Sequence, residues 1–137
     1  MQNSLIDAGP IIALFDKSDQ YHQKVLTYMK EYSGRLVTTW PVITEVCYML
    51  DFSRETQLDF LDWIIAGGIN VHILKKWQLA GIRSYFLKYS DLPADLADCT
   101  LLEVAESENL DSILTLDRDF NVYKLSNGRY LKNLLQS

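Results

Sequence analysis

The chain has 137 residues, a length that suits one domain with a self-sufficient core. Its apolar share of 48% and charged share of 23% are ordinary for a globular protein, and no run approaches the roughly 20 apolar residues that a membrane span needs. A net charge of −5 argues against indiscriminate binding of nucleic acid through overall charge, but not against an enzyme whose acids hold cations, because a bound divalent ion inverts the local field.

In chain order, residues 3 to 6 predict a buried strand that ends at Asp7. Gly9-Pro10 predicts a tight turn with Pro opening a short helix, where its missing N–H costs nothing. No basic segment precedes this stretch and Asp7 interrupts its apolar run, so it does not read as a signal peptide, and a cytoplasmic location is expected. Tyr21, Val25, Leu26, Met29 and Tyr32 recur at helical spacing until Ser33-Gly34. Arg35 to Thr39 is a second strand. Pro41 opens a helix carrying Val42, Val46, Met49 and Leu50, and a further helix over about 55–66 stops at Gly67-Gly68. Val71, Ile73 and Leu74 predict a third strand, and residues 76 to 89 return to helical period.

Ser90-Asp91-Leu92-Pro93 reads as the start of a helix that runs to about Asn109, and Ser112 to Leu116 as a fourth strand. The tail "FNVYKLSNGRYLKNLLQS" has a turn at Asn127-Gly128, with a strand-like segment before it. This alternation predicts one α/β domain over residues 1–137, with a short, mostly parallel sheet flanked by helices. Cys47 and Cys99 lack metal-ligand spacing and read as buried free thiols.

In such a fold, ligands bind beyond the carboxyl ends of the strands. Asp7 follows the first strand, and Asp117 and Asp119 follow the fourth in "SILTLDRDF". Glu45, in "TTWPVITEVCYML", borders the apolar face of its helix. Asp98 is odder, since Leu101, Leu102 and Ala105 all fall within about 60° of it on a helical wheel, and a carboxylate in line with a core stripe is costly unless paired. Glu103 projects roughly 140° away and reads as solvated. Each acid alone also has a plainer reading, as a helix cap, a turn residue or a surface acid. Several carboxylates at one sheet edge would repel one another, and hard divalent cations such as Mg²⁺ or Mn²⁺ remove that repulsion. A site of that kind can activate water for displacement at phosphorus.

These segments resemble the PIN-domain ribonucleases, including the VapC-type toxins of toxin–antitoxin pairs. The resemblance rests on "LIDAGPIIALFDKSDQYH", "TTWPVITEV", "LPADLADCTLLEVAE" and "ILTLDRDF", in that order and spacing over nearly the whole chain. It implies a PIN-like fold and a divalent-metal-dependent endoribonuclease, with Asp7, Asp98 and Asp117 as metal ligands. Glu45 would ligate or orient the attacking water, and Asp119 would serve as a supporting or substitute acid. Ala8 and Gly9 stand where many family members carry Ser or Thr. The resemblance also implies RNA as substrate, an antitoxin protein as partner and a homodimer.

Arg118, Lys17, Arg129 and Lys132 are candidate RNA contacts, and Trp40 and Trp77 are candidate stacking platforms that more often pack. Tyr28, Tyr32, Trp63 and Phe60 offer apolar surface for a dimer. The alternative is a catalytically silent PIN-like binding or regulatory module. A phosphatase or receiver domain fits poorly, because Asp7-Ala8-Gly9 lacks the second acid of the former and no Lys follows the late strand for the latter.

Overall fold

The computed structural model describes residues 2–92 and 94–135. Five strands, β1 (Gln2–Ile6), β2 (Gly34–Thr39), β3 (Asn70–His72), β4 (Ser112–Leu114) and β5 (Lys132–Asn133), form one parallel sheet in the order β3-β2-β1-β4-β5. Six helices flank it: α1 (Ala8–Phe15), α2 (His22–Glu31), α3 (Trp40–Met49), α4 (Arg54–Ile65), α5 (Leu79–Lys88) and α6 (Leu96–Ser107). The fold is a single PIN-like α/β domain. Where the central strands β1 and β4 pair, both faces of the sheet are covered, and Leu5, Ile113 and Leu114 are fully buried.

Local sequence explains most boundaries. The hydroxyl of Ser53 caps α4 by accepting from Thr56 N (3.2 Å). At its other end Gly67 takes φ +93°, Gly67 N donates to Ile64 O and Gly68 N to Trp63 O, so the last carbonyls find donors. Gly34 (φ +150°) opens β2 where an added Cβ would lie 2.1 Å from Gln2 O on the paired strand, so only glycine fits that register.

Several expectations are corrected. Gly9-Pro10 forms no separate turn, because α1 begins at Ala8 directly after the strand, capped by Asp7. Helix α6 begins at Leu96, capped by Asp95; Ser90 to Leu92 precede it as a turn, and Pro93 lies outside the described residues. The segment after β4 is a 3-10 turn, Arg118–Asn121, rather than a strand. Burying both Phe120 and Tyr123 three residues apart, edge to face at 5.0 Å, demands a helical repeat there. The Asn127-Gly128 turn does close a single antiparallel bridge, Lys124 to Tyr130.

Glu103 is buried, at 7% exposure, because α5 packs on α6 and Gly81 leaves room for its carboxylate. Phe60 is fully buried and Trp63 partly so, which withdraws them from a dimer face, whereas Trp40 and Trp77 are exposed rather than packed. Of the two free thiols Cys99 is buried and Cys47 half-buried. Among the described residues no helix is long and apolar enough to cross a membrane.

Candidate metal centre

The strand order reverses at β1: the chain steps outward from β1 to β3 on one side, then returns to lay β4 and β5 on the other. A crevice opens at such a switch point beyond the strand ends. Asp7 and Asp117 leave the sheet there from adjacent strands, and Asp7 N donates to Leu114 O (3.0 Å) across the join. Asp98 arrives from the first turn of α6. That helix is fastened beside the same edge by a hydrogen bond between the hydroxyls of Thr39 and Thr100 (2.7 Å).

One carboxylate oxygen from each of Asp7, Asp98 and Asp117 lies within 4.8 Å of the others. Asp7 thus shares one spot with two acids more than 90 positions further along the chain. Glu45, Asp119 and Asp95 line the same cleft, about 390 Å³ in volume, but stand outside that triad. Asp95, the cap of α6, is an acid of the cleft that is absent from the residues expected from sequence. No Lys, Arg or His is among the described residues that line the cleft.

Each acid also has a structural bond, so the plainer readings and the cluster hold together. Asp7 Oδ1 accepts from Ala8 N (2.8 Å) as the α1 cap. Its Oδ2 accepts from Thr115 Oγ1 (2.9 Å), which in turn accepts from Asp117 N (2.9 Å). Thr115 therefore ties two of the three acids together. Thr115 lies inside the segment expected as the fourth strand and was not among the expected site residues, although a Thr just before an acid at a strand end is a signal for such a bond. Asp117 Oδ1 accepts from Asp119 N (2.9 Å) and caps the 3-10 turn. Asp98 and Asp95 form a reciprocal capping box, with Asp98 N donating to Asp95 Oδ1 (2.8 Å). A carboxylate oxygen carries two acceptor positions, so these bonds leave lone pairs for a further partner.

The electrostatics match the geometry. Burial pushes Asp7 up to about 6, with Glu45 and Asp117 adding like-charge repulsion against its hydrogen bonds. Burial, then Asp7 and Asp95, push Asp98 up to about 8. Glu45 is raised by burial and by Asp95 and Asp117. Oxygen-only donors, crowded and without a basic neighbour, suit a hard divalent cation, and this donor set fits Mg²⁺ or Mn²⁺.

The family profile of the PIN domain matches residues 4–125. The chain belongs to the PIN domain family. Among solved structures, this PIN domain is similar to VapC20 of Mycobacterium tuberculosis, a sarcin-ricin loop cleaving toxin, with TM-score 0.79 at 12% identity over 86% of this chain and 92% of that one. It is also similar to VapBC2 of Rickettsia felis, bound to a promoter DNA fragment (TM-score 0.66, 14% identity, 96% and 98% covered). A third likeness is to a toxin–antitoxin complex from Klebsiella pneumoniae (TM-score 0.63, 15% identity, 84% and 87% covered). At these identities the likeness shows a shared fold. No curated protein sequence is significantly similar to this chain.

The basic candidates fall elsewhere. Arg118 turns from the acids toward a neighbouring groove. Arg129 donates to Asn109 Oδ1 (2.9 Å), and Lys132 pairs in register with Ser112, at the start of β4 and so away from the acidic edge. Lys17 is exposed just beyond α1. The His22 ring stands with Nδ1 2.7 Å from Ala13 O and serves the packing of α2 on α1.

Proposed function

We propose that this PIN domain is a divalent-metal-dependent endoribonuclease and the toxin of a toxin–antitoxin pair. The observation that carries the reading is the convergence of Asp7, Asp98 and Asp117 at the switch point of a PIN fold. The three acids would hold Mg²⁺ or Mn²⁺. Such an ion, when bound, neutralises charge at a phosphodiester and acidifies a water.

The chain's own residues do the rest. Thr115 fixes the rotamer of Asp7 and the backbone before Asp117, so the acids meet substrate preorganised. Glu45, at the rim with its proton affinity raised, accepts the proton of the attacking water on a carboxylate oxygen. Asp119, at the mouth of the cleft, supports Asp117 through its backbone N–H.

A partner is suggested by the surface beside the cleft. Glu45 and Asp95 belong both to the acidic wall and to an open apolar groove of about 710 Å³ formed with Trp40, Tyr48 and Leu96. An antitoxin segment with apolar residues followed by a basic one fits that pairing. The similar proteins of K. pneumoniae and R. felis, described as a toxin–antitoxin complex and as VapBC2, support this part of the reading. A homodimer and a cytoplasmic site of action complete it.

The test is cleavage of a mixed RNA pool by the purified protein with Mn²⁺, with EDTA, and by Asp98→Asn. Cutting that needs the ion and is lost in the variant is expected. Equal traces in all three lanes, with a structured ribosomal RNA included in the pool, would instead favour a silent binding module.

A further inference from the structure

Next to the acidic cleft lies a second groove of about 470 Å³ whose wall has the opposite character: it carries Lys24, Arg118, Tyr21 and Asn121 and no acid. Leu116 lines both depressions, so the two lie side by side. The alternation of side chains after β4 produces this division, with Asp117 facing the acids and Arg118 facing the groove. Their Cα atoms are only about 3.8 Å apart. Lys24 comes from α2 and Arg118 from the 3-10 turn, yet both are exposed and share one wall. Neither is in an ion pair among the described residues, where the one such contact joins His72 to Glu108. The floor is rigid, since Asn133 of the edge strand donates to Thr115 O (3.1 Å) and accepts from Thr115 N (3.3 Å).

We infer that this groove seats the RNA backbone on one side of the cleaved bond, with Lys24 and Arg118 on the phosphate next to the scissile one and Tyr21 against its base. The inference rests on the nuclease reading for the position of the scissile phosphate. Its basis is charge and adjacency. A chain of net charge −5 with a cleft of carboxylates repels a polyanion. Two unpaired cations beside that cleft, Arg118 next in sequence to Asp117 and Lys24 across the same groove, supply the attraction where a strand must enter. Tyr21, 40% exposed, offers a flat face, and stacking on it tolerates any base.

The experiment is fluorescence anisotropy with a labelled single-stranded RNA, on an Asp98→Asn background and at several KCl concentrations. Lys24→Gln/Arg118→Gln is compared with the parent. Loss of both cations from this one phosphate is expected to weaken binding at least roughly tenfold and to make the slope of log K against log salt shallower by roughly 0.7. Both side chains are exposed, so Tm should stay at that of the Asp98→Asn parent, and in the otherwise wild-type protein Mn²⁺ binding should be unchanged; those two readouts establish that the variant is folded. In an otherwise wild-type protein the same pair should raise KM for RNA far more than it lowers kcat.

Unchanged RNA affinity and salt slope in the folded variant would overturn the assignment. Tight calorimetric binding of inorganic phosphate alone, lost in the variant while RNA binding persists, would make the groove a small-anion site and also overturn it. The nuclease reading fails separately, when RNA binds through the groove but no condition yields cleavage.

Discussion

Thr115 shows how one hydroxyl organises several charges. It donates to Asp7 and accepts from Asp117 N, so Thr115→Val leaves a buried carboxylate oxygen and a backbone N–H without partners. A loss of about 1–3 kcal/mol in unfolding free energy is expected. Cleavage should fall together with Mn²⁺ affinity, and Thr115→Ser should restore both. Asp98→Asn is expected to behave in the opposite way toward stability. Without metal it removes a carboxylate held near pKa 8 by burial and like charges, so Tm in EDTA should rise while RNA cleavage falls by orders of magnitude.

The raised carboxylates also set a pH dependence. Asp7 and Asp98 bind their protons more tightly in the folded chain than at the ordinary 3.8, with folded values of about 6 and about 8. Stability in EDTA is therefore full at low pH, as far as these two groups decide it. It falls as pH rises from near 3.8 through 6 and on toward 8. Thermal melts across that range should show the decline, and Asp98→Asn should flatten its upper part.

At the scale of elements, the site depends on how helices and strands begin. Asp7, Asp95, Asp98 and Asp117 each cap or open a helical segment, so the same positive helix ends that suit an acid also carry the candidate ligands. This places the acids on rigid elements rather than on loose loops. The register of β2 against β1 then sets where α3 and Glu45 begin, and Gly34 guards that register. Gly34→Ala would push a methyl group onto Gln2 O at φ +150°, and a destabilisation of more than about 2 kcal/mol is expected in urea unfolding. An unchanged midpoint would show that the start of β2 is free to shift.

At the scale of the molecule, like charges held together by a fold are a reservoir of repulsion that a cation releases. Mn²⁺ should raise Tm at neutral pH, by an amount equivalent to about 2.7 kcal/mol when the free ion is a hundredfold above Kd. The gain should disappear in Asp98→Asn and should be larger at pH 8 than at pH 5, where Asp7 and Asp98 keep their protons. A pH-independent shift would place the ion elsewhere.

The amino-acid sequence by itself determined the order and kind of the main elements, because apolar periodicity and helix punctuation act within a few residues of each other. It also marked Asp7 and Asp117 as acids at strand ends, and Asp98 as a carboxylate on an apolar stripe. It misjudged Glu103, whose burial depends on a glycine in another helix, and the start of α6, where Asp95 competes with Ser90 and Asp91 for the cap. Only the tertiary structure decided which acids meet. That follows from the reversal of strand order at β1 and from Thr115 and Asn133 fastening β4 and β5 to that edge. Local preference names the candidates; proximity between residues far apart in sequence is set by how the strands pair.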